Sequence, residues 1–287
     1  MKCSDAVSTL QHKLNQPATQ IKFNAAVENA QEHNDTHTEA RLKCYSATSA
    51  FEWKNARPSN PQLTLNDTHY RICARMNLGI NVRGLAPECP ICHRPDAVKK
   101  DPLHYLSCTG YNVKAITHRH NAVLNVAYLY TNAVGGVAVK EPRDLHSDDG
   151  RVPDLQMLIR DKHWLSDVYV INPMAPSYRQ QAAQRQLSAA ALGEYRKEHK
   201  YHGTALAHGA TFVPFVVESA GGLGEGAVQI IEEIVLASRD NNTLVHHKIV
   251  SQQLRAAIGI AVQKGNAIAM IAGRNRALGR AATCAAA

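Results

Sequence analysis

The chain lacks a long hydrophobic run. No apolar stretch follows Lys2 within the first ten residues, and the uncharged stretch through 203–217 is interrupted by His208 and Pro214. A membrane-spanning helix needs about 20 consecutive apolar residues. The expectation is therefore a chain with neither secretory leader nor membrane partner, kept inside the cell. No repeat of fixed period occurs. Acidic residues nearly vanish from 239 onwards, where Asp240 alone faces Arg239, Lys248, Arg255, Lys264, Arg274, Arg276 and Arg280. Most of the net charge of +8 sits there. Such a segment is either a solvated helix face or a surface for a polyanion, which gains from counterion release when phosphates are neutralised. Without an export signal, seven cysteines argue for reduced or metal-bound thiols and against a disulfide framework. Cys3, Cys44, Cys73 and Cys284 are scattered; the other three cluster.

What is present is an order of elements. Residues 1–65 are polar, with helical stretches at 6–14 and 38–54 and a proline-containing break at 57–61. Apolar spacing predicts a helix over 113–132, ended by Gly135-Gly136, then a short β-branched run at 137–139. Residues 153–159 and 164–171 are strand-like and separated only by Arg160, Asp161, Lys162 and His163, which predicts a hairpin. Residues 177–200 read as one long helix, and 211–218 as a strand. Amphipathic helices follow at 227–238 and 244–263, with an interruption at Gly265-Asn266 and an alanine-rich end expected to fray. The fold class is α/β with αβββαβ order. Four segments are expected: a mostly helical 1–80, a metal knuckle at 81–112, a core at 113–240 and a basic helical extension at 241–287.

Cys89-Pro-Ile-Cys92, followed by His104 and Cys108, has the spacing of a tetrahedral zinc site. Three thiolates and one imidazole fill the shell, so this metal would staple the fold and leave no open position for catalysis. His93 competes with His104 but would strain the knuckle beside Cys92.

A second cluster is acidic. With the hairpin turn centred on Arg160 and Asp161, residues whose numbers add to 321 face each other, which sets Asp154 opposite Asp167. Opposed residues have Cβ atoms about 5 Å apart. Two like charges that close call for a cation, and oxygen ligands select a hard one, Mg²⁺ or Mn²⁺. Lys197 and Lys200 share a helix face from which either could reach the hairpin. The bland alternative is a pair of solvated aspartates. Glu141 is a candidate further ligand or a turn residue before Pro142, and Glu218 reads as a cap for the turn at 219–222.

These residues resemble a known family. The Cys/His cluster, Arg119-His-Asn121, Glu141-Pro142, Arg151-Val-Pro-Asp154-Leu, Asp167-Val-Tyr-Val, Lys197-Glu-His-Lys200-Tyr201 and Phe212-Val-Pro-Phe-Val-Val-Glu-Ser219 are similar to the carboxy-terminal restriction-like endonuclease of site-specific non-LTR retrotransposons and related reverse-transcriptase-like proteins. Tyr70-Arg-Ile-Cys-Ala-Arg-Met-Asn-Leu-Gly79 and Gln263-Lys-Gly-Asn-Ala267 extend the likeness over about 65–272. The resemblance implies a PD-(D/E)xK core, with Asp154 and Asp167 as catalytic acids that bind Mg²⁺ or Mn²⁺. It further implies a catalytic lysine at 197 or 200, a structural zinc at the knuckle, DNA or RNA as partner and a nuclear location. Arg151, Arg119, Lys248 and Arg255 are the candidate nucleic-acid contacts. Two features depart from the pattern. Val152 stands where the family carries a basic residue, and no polymerase signature of the Tyr/Phe-x-Asp-Asp kind occurs, since Asp148-Asp149 lies in a polar loop. A polymerase module is thus expected in trans or missing from this chain. Two rivals remain: a non-catalytic zinc-knuckle binding module, and a resolvase-like nuclease acting on branched DNA.

Overall fold

In the computed structural model of the chain, Arg160 and Asp161 both take left-handed backbone, with φ of 51° and 63°. A two-residue loop with both positions left-handed follows the twist of the strands it joins and closes a tight hairpin. Strands β2 (Leu155–Ile159) and β3 (Lys162–Ser166) flank it, paired antiparallel from Ile159 with Lys162 to Leu155 with Ser166. That is the register expected from the turn. β1 (Val137–Lys140) pairs antiparallel with the other edge of β2. The structure describes residues 3–285 apart from 83, 109, 111–112, 147–149, 242 and 244, and the side chains of 3–17, 113 and 280–285 are outside the description. The Asp148-Asp149 pair therefore falls outside the described residues.

The second expected strand of the hairpin is broken in two at Asp167, where β3 gives way to β4 (Val168–Ile171). The expected strand at 211–218 breaks at the same level into β5 (Thr211–Phe212) and β6 (Phe215–Glu218), which run parallel to β3 and β4. Across the gap, the Val213 N–H donates to the Leu165 carbonyl at 2.8 Å and the Phe215 N–H to the Asp167 carbonyl at 3.0 Å. The two ladders thus continue one another. Pro214 has no N–H to give and is accommodated because it lies on an edge of the sheet.

Alternate residues face opposite layers. Val168, Val170, Phe215 and Val217 join a large apolar core with Val123, Leu124, Ile230 and Leu254. Ile171 and Val216 pack on the other side, against Ala189 and Ala190. After α1 (Cys3–Glu32), α2 (Thr36–Tyr45), α3 (Glu52–Asn55), α4 (Asp67–Asn77) and α5 (Ala97–Lys100) in the chain, the first layer holds α6 (Val113–Ala133), α9 (Glu225–Asp240) and α10 (His247–Ala285); the second holds α8 (Ser188–Ala207). Each fully buried Val, Leu, Ile or Phe of this core is worth up to about 1.5–3 kcal/mol relative to exposure. The architecture is α/β, with the strand order and the helix before and after it as read from the sequence.

Further expectations change, among them the helix over 38–54, which is divided between Thr36–Tyr45 and Glu52–Asn55. The helix over 177–200 is two helices, α7 (Arg179–Gln184) and α8, because Leu187 adopts φ 58° between them and turns the chain from one packing partner to another. The interruption at Gly265-Asn266 is absent: α10 runs unbroken through it. A Cβ at Gly265 would lie 2.4 Å from Cβ of Arg119, so the glycine is there for close helix approach and not to end the helix. Finally, the four segments share one hydrophobic core, which includes Cys44 and Met76, Ile91 and Leu106, Val123, and Leu254 and Met270.

The stretch His247–Gly279 of α10 is long enough to cross a membrane and contains an apolar 18-residue window, of which 78% is buried inside the fold, as for a core helix.

Candidate functional site

Two clusters of chemistry-bearing side chains stand out. In the first, the ligand atoms of Cys89, Cys92, His104 and Cys108 all lie within 4.8 Å of one another. Cys89 Sγ and Cys108 Sγ are 3.8 Å apart, and Cys92 Sγ and His104 Nε2 3.3 Å. A tetrahedron with zinc–thiolate bonds of about 2.3 Å has edges of about 3.8 Å, so the donor set fits the ion. Burial raises the Cys89 thiol, and burial with the neighbouring Cys89 and Cys92 raises Cys108 to about 12. A cation reverses that cost by holding the sulfurs as thiolates. Burial, then Arg94, lowers the His104 imidazole and keeps it neutral, as a ligand must be. This cluster can hold a metal such as zinc, with His104 as its nitrogen donor. His93 is exposed with φ 56° and its Nδ1 lies 4.0 Å from Glu88, outside the cluster.

The second cluster sits at the gap between β3 and β4. Asp154 immediately precedes β2, and Asp167 is the gap residue itself, so the hairpin brings the two acids to its open end. Asp154 Oδ2 accepts from the Val168 N–H at 2.7 Å and is 2.9 Å from His120 Nε2. The carboxylate thereby occupies the place on β4 that a longer β2 would have filled. Asp167 is 4% exposed and pairs with the Lys197 ammonium. Burial and then the charge of Asp154 raise the Asp167 carboxyl, against Lys197 and a hydrogen bond from Tyr201. The Tyr201 hydroxyl also lies 3.3 Å from the Val152 carbonyl, so its one hydrogen is shared between the two acceptors. The Lys200 ammonium instead lies over the Tyr201 ring, 4.6 Å from its centroid. Of the two candidate lysines, 197 is the one that the described contacts place at the acids.

His120 is a member of this cluster that sequence reading passed over. Burial pulls its imidazole down, but Asp154, with help from Asn121 and Asp167, outweighs it and leaves it at about 8. The signal was available only as the residue between Arg119 and Asn121 in the motif, on a helix whose spacing spoke for packing.

Other candidates are placed elsewhere. Arg119 is not a nucleic-acid contact: it is 2% exposed, with its guanidinium hydrogen-bonded to Asn266 Oδ1 and the carbonyls of Leu106 and Val170. Arg255 lines a cavity of about 510 Å³ together with Glu52, Glu225 and Glu232, a surrounding that attracts cations and not phosphates. Lys248 is exposed near the start of α10, and Arg151 is exposed just ahead of Asp154. Glu141 is exposed at φ 49°, and its backbone N–H donates to the Asp154 carbonyl at 2.9 Å. No contact among the described residues joins its carboxylate to the two aspartates. Glu218 is fully buried; its backbone closes the turn at 219–222, but its side chain accepts from the Ala190 N–H at 3.2 Å and so caps α8 instead.

No protein-family model matches the chain, and no curated protein matches it. The site therefore stands on its own geometry.

Proposed function

We propose that the chain is a divalent-metal-dependent endonuclease with a PD-(D/E)xK core, nicking DNA at the Asp154/Asp167/Lys197 site. The observation that carries this reading is the meeting of two hairpin aspartates with one helix lysine at a break in the sheet. The donor set fits a hard cation. Both acids offer oxygen, and a positive ion held there would offset the burial and the Asp154 charge that together raise Asp167. Asp154 and Asp167 would hold Mg²⁺ or Mn²⁺, which would supply Lewis acidity to the phosphodiester and lower the pKa of an attacking water. Asp154 keeps its position through the Val168 N–H and His120. Lys197 offsets charge gathering on the phosphate in the transition state, and Tyr201 steadies Asp167. The Cys/His cluster has no water position and serves structure.

The resemblance to retrotransposon endonucleases supports the same reading and extends it to a nuclear setting, with DNA or RNA as partner and a polymerase module in trans or missing. Supercoiled plasmid incubated with Mg²⁺ tests it. The wild type is expected to give open circles and Asp154→Ala none. Equal nicking by both, or none by either, would overturn the assignment, the second outcome leaving a binding module. Branched and linear substrates compared side by side distinguish a resolvase from a general nickase.

A further inference from the structure

Arg119 carries a charge into the interior, and no carboxylate pairs with it among the described residues. Burying an unpaired guanidinium costs several kcal/mol, so its three acceptors matter. Nη1 donates to Asn266 Oδ1 on α10 at 2.9 Å. Nη2 donates to the Leu106 carbonyl at 3.1 Å and the Val170 carbonyl at 3.3 Å. Leu106 belongs to the short turn His104–Leu106, which supplies one ligand of the Cys/His cluster and stands two residues before another. Val170 belongs to β4.

The consequence concerns one oxygen atom. His120, next to Arg119 on α6, and Val168, which begins β4, both meet Asp154 Oδ2. Arg119 fastens those two elements to each other and to the Cys/His turn. A second route runs beside it: Asn266 Nδ2 and Gln263 Nε2 both donate to the Ser219 carbonyl, at 2.8 and 3.1 Å, and Ser219 Oγ donates to Asn172 Oδ1 at 3.1 Å. Asn172 Nδ2 is 3.5 Å from Ser107 Oγ, again in the cluster's turn. Gly265 leaves the room that Arg119 fills. Lysine could not substitute, since its single ammonium has no planar fork to bridge separate acceptors.

We propose that Arg119 is a positioning residue for Asp154, and that metal loading of the Cys/His cluster reaches the acidic site through it. The inference rests on the nuclease reading, in which Asp154 binds the catalytic cation. Mn²⁺ titration of the full chain, followed by electron paramagnetic resonance, tests it with zinc content and thermal melting measured in parallel. Zinc-loaded wild type is expected to bind Mn²⁺ in a manner abolished by Asp154→Ala. Arg119→Lys, folded and zinc-loaded, is expected to bind it at least about tenfold more weakly, the scale of losses on removing partners of metal ligands. Stripping zinc from the wild type is expected to cost a similar factor, and to cost Arg119→Lys little more. Wild-type affinity in folded Arg119→Lys, or a zinc effect of equal size in both proteins, would overturn the proposal while leaving the nuclease reading intact. Should Arg119→Lys fail to fold, Asn266→Ala removes one anchor and is expected to weaken Mn²⁺ severalfold, unchanged affinity again overturning it. Absence of Asp154-dependent binding in the wild type sinks the nuclease reading and this inference together.

Discussion

Glu218 is a carboxyl with no exposed surface, and burial, against hydrogen bonds from the Ala190 and Ala189 N–H groups, raises it from 4.5 to about 7. It stays protonated in the fold over a range where the unfolded chain's carboxyl is ionised. The stability linked to it is complete below pH 4.5 and is lost as pH rises through 7, a change on the order of 3 kcal/mol. Asp101, raised by burial to about 6 with Arg179 opposing, adds to the same trend. Urea melts at pH 5 and pH 8 should show the wild type less stable at the higher pH, and Glu218→Gln should flatten the difference; an unchanged slope in the variant would remove Glu218 from the account. None of this was legible in the sequence, where Glu218 read as a turn cap. The side chain caps α8 because the sheet delivers it beneath that helix, a relation between segments that local pattern does not carry. The same holds for His120 and Arg119. Adjacent on α6, they point to different surroundings, and only packing decides that one meets Asp154 and the other is enclosed.

At the scale of elements, the hairpin was legible because strand pairing has a period of two and a short turn fixes the register. Arg160 and Asp161 closed it as expected, and the register carried Asp154 and Asp167 to the same end. The breaks at Asp167 and at Val213-Pro214 were not foreseen, since both sit inside otherwise mostly apolar strand-like runs and the gap arises where the Asp154 carboxylate takes the Val168 N–H. In α10, glycine was read as a break when it marks contact. Gly265 admits Arg119, and Gly273 lies where a Cβ would come within 2.6 Å of the Tyr105 ring. Gly265→Ala should therefore destabilise by about 1–3 kcal/mol through overpacking, despite alanine's better helix propensity. Thermal melting that showed stabilisation would contradict the close-contact reading.

For the whole molecule, the segments expected at 81–112 and 241–287 are parts of one core. Cys89, Ile91, Leu106 and Cys108 lie in the same apolar cluster as Val123, Leu254 and Met270. Composition marks changes of texture along a chain, but it does not show that the apolar faces on either side of a boundary bury one another. Zinc chelation is accordingly expected to lower the melting temperature of the entire chain in a single transition. A separate low-temperature step with the main transition unmoved would mean that the cluster folds apart from the core. In the basic tail, Arg255 stands beside Glu52, Glu225 and Glu232 and most of the apolar part of α10 is buried, while Arg239, Lys248 and Arg276 are exposed.

Lys197 pairs with Asp167, and Lys200 lies over the Tyr201 ring. The most direct test of the three-residue site is the rate of Mg²⁺-dependent nicking of supercoiled plasmid by Lys197→Ala beside Lys200→Ala, both with wild-type melting. Lys197→Ala is expected to lose on the order of a hundredfold or more, the usual cost of a group that stabilises transition-state charge, and Lys200→Ala only severalfold. Equal rates for the two, or the larger loss at Lys200, would contradict it.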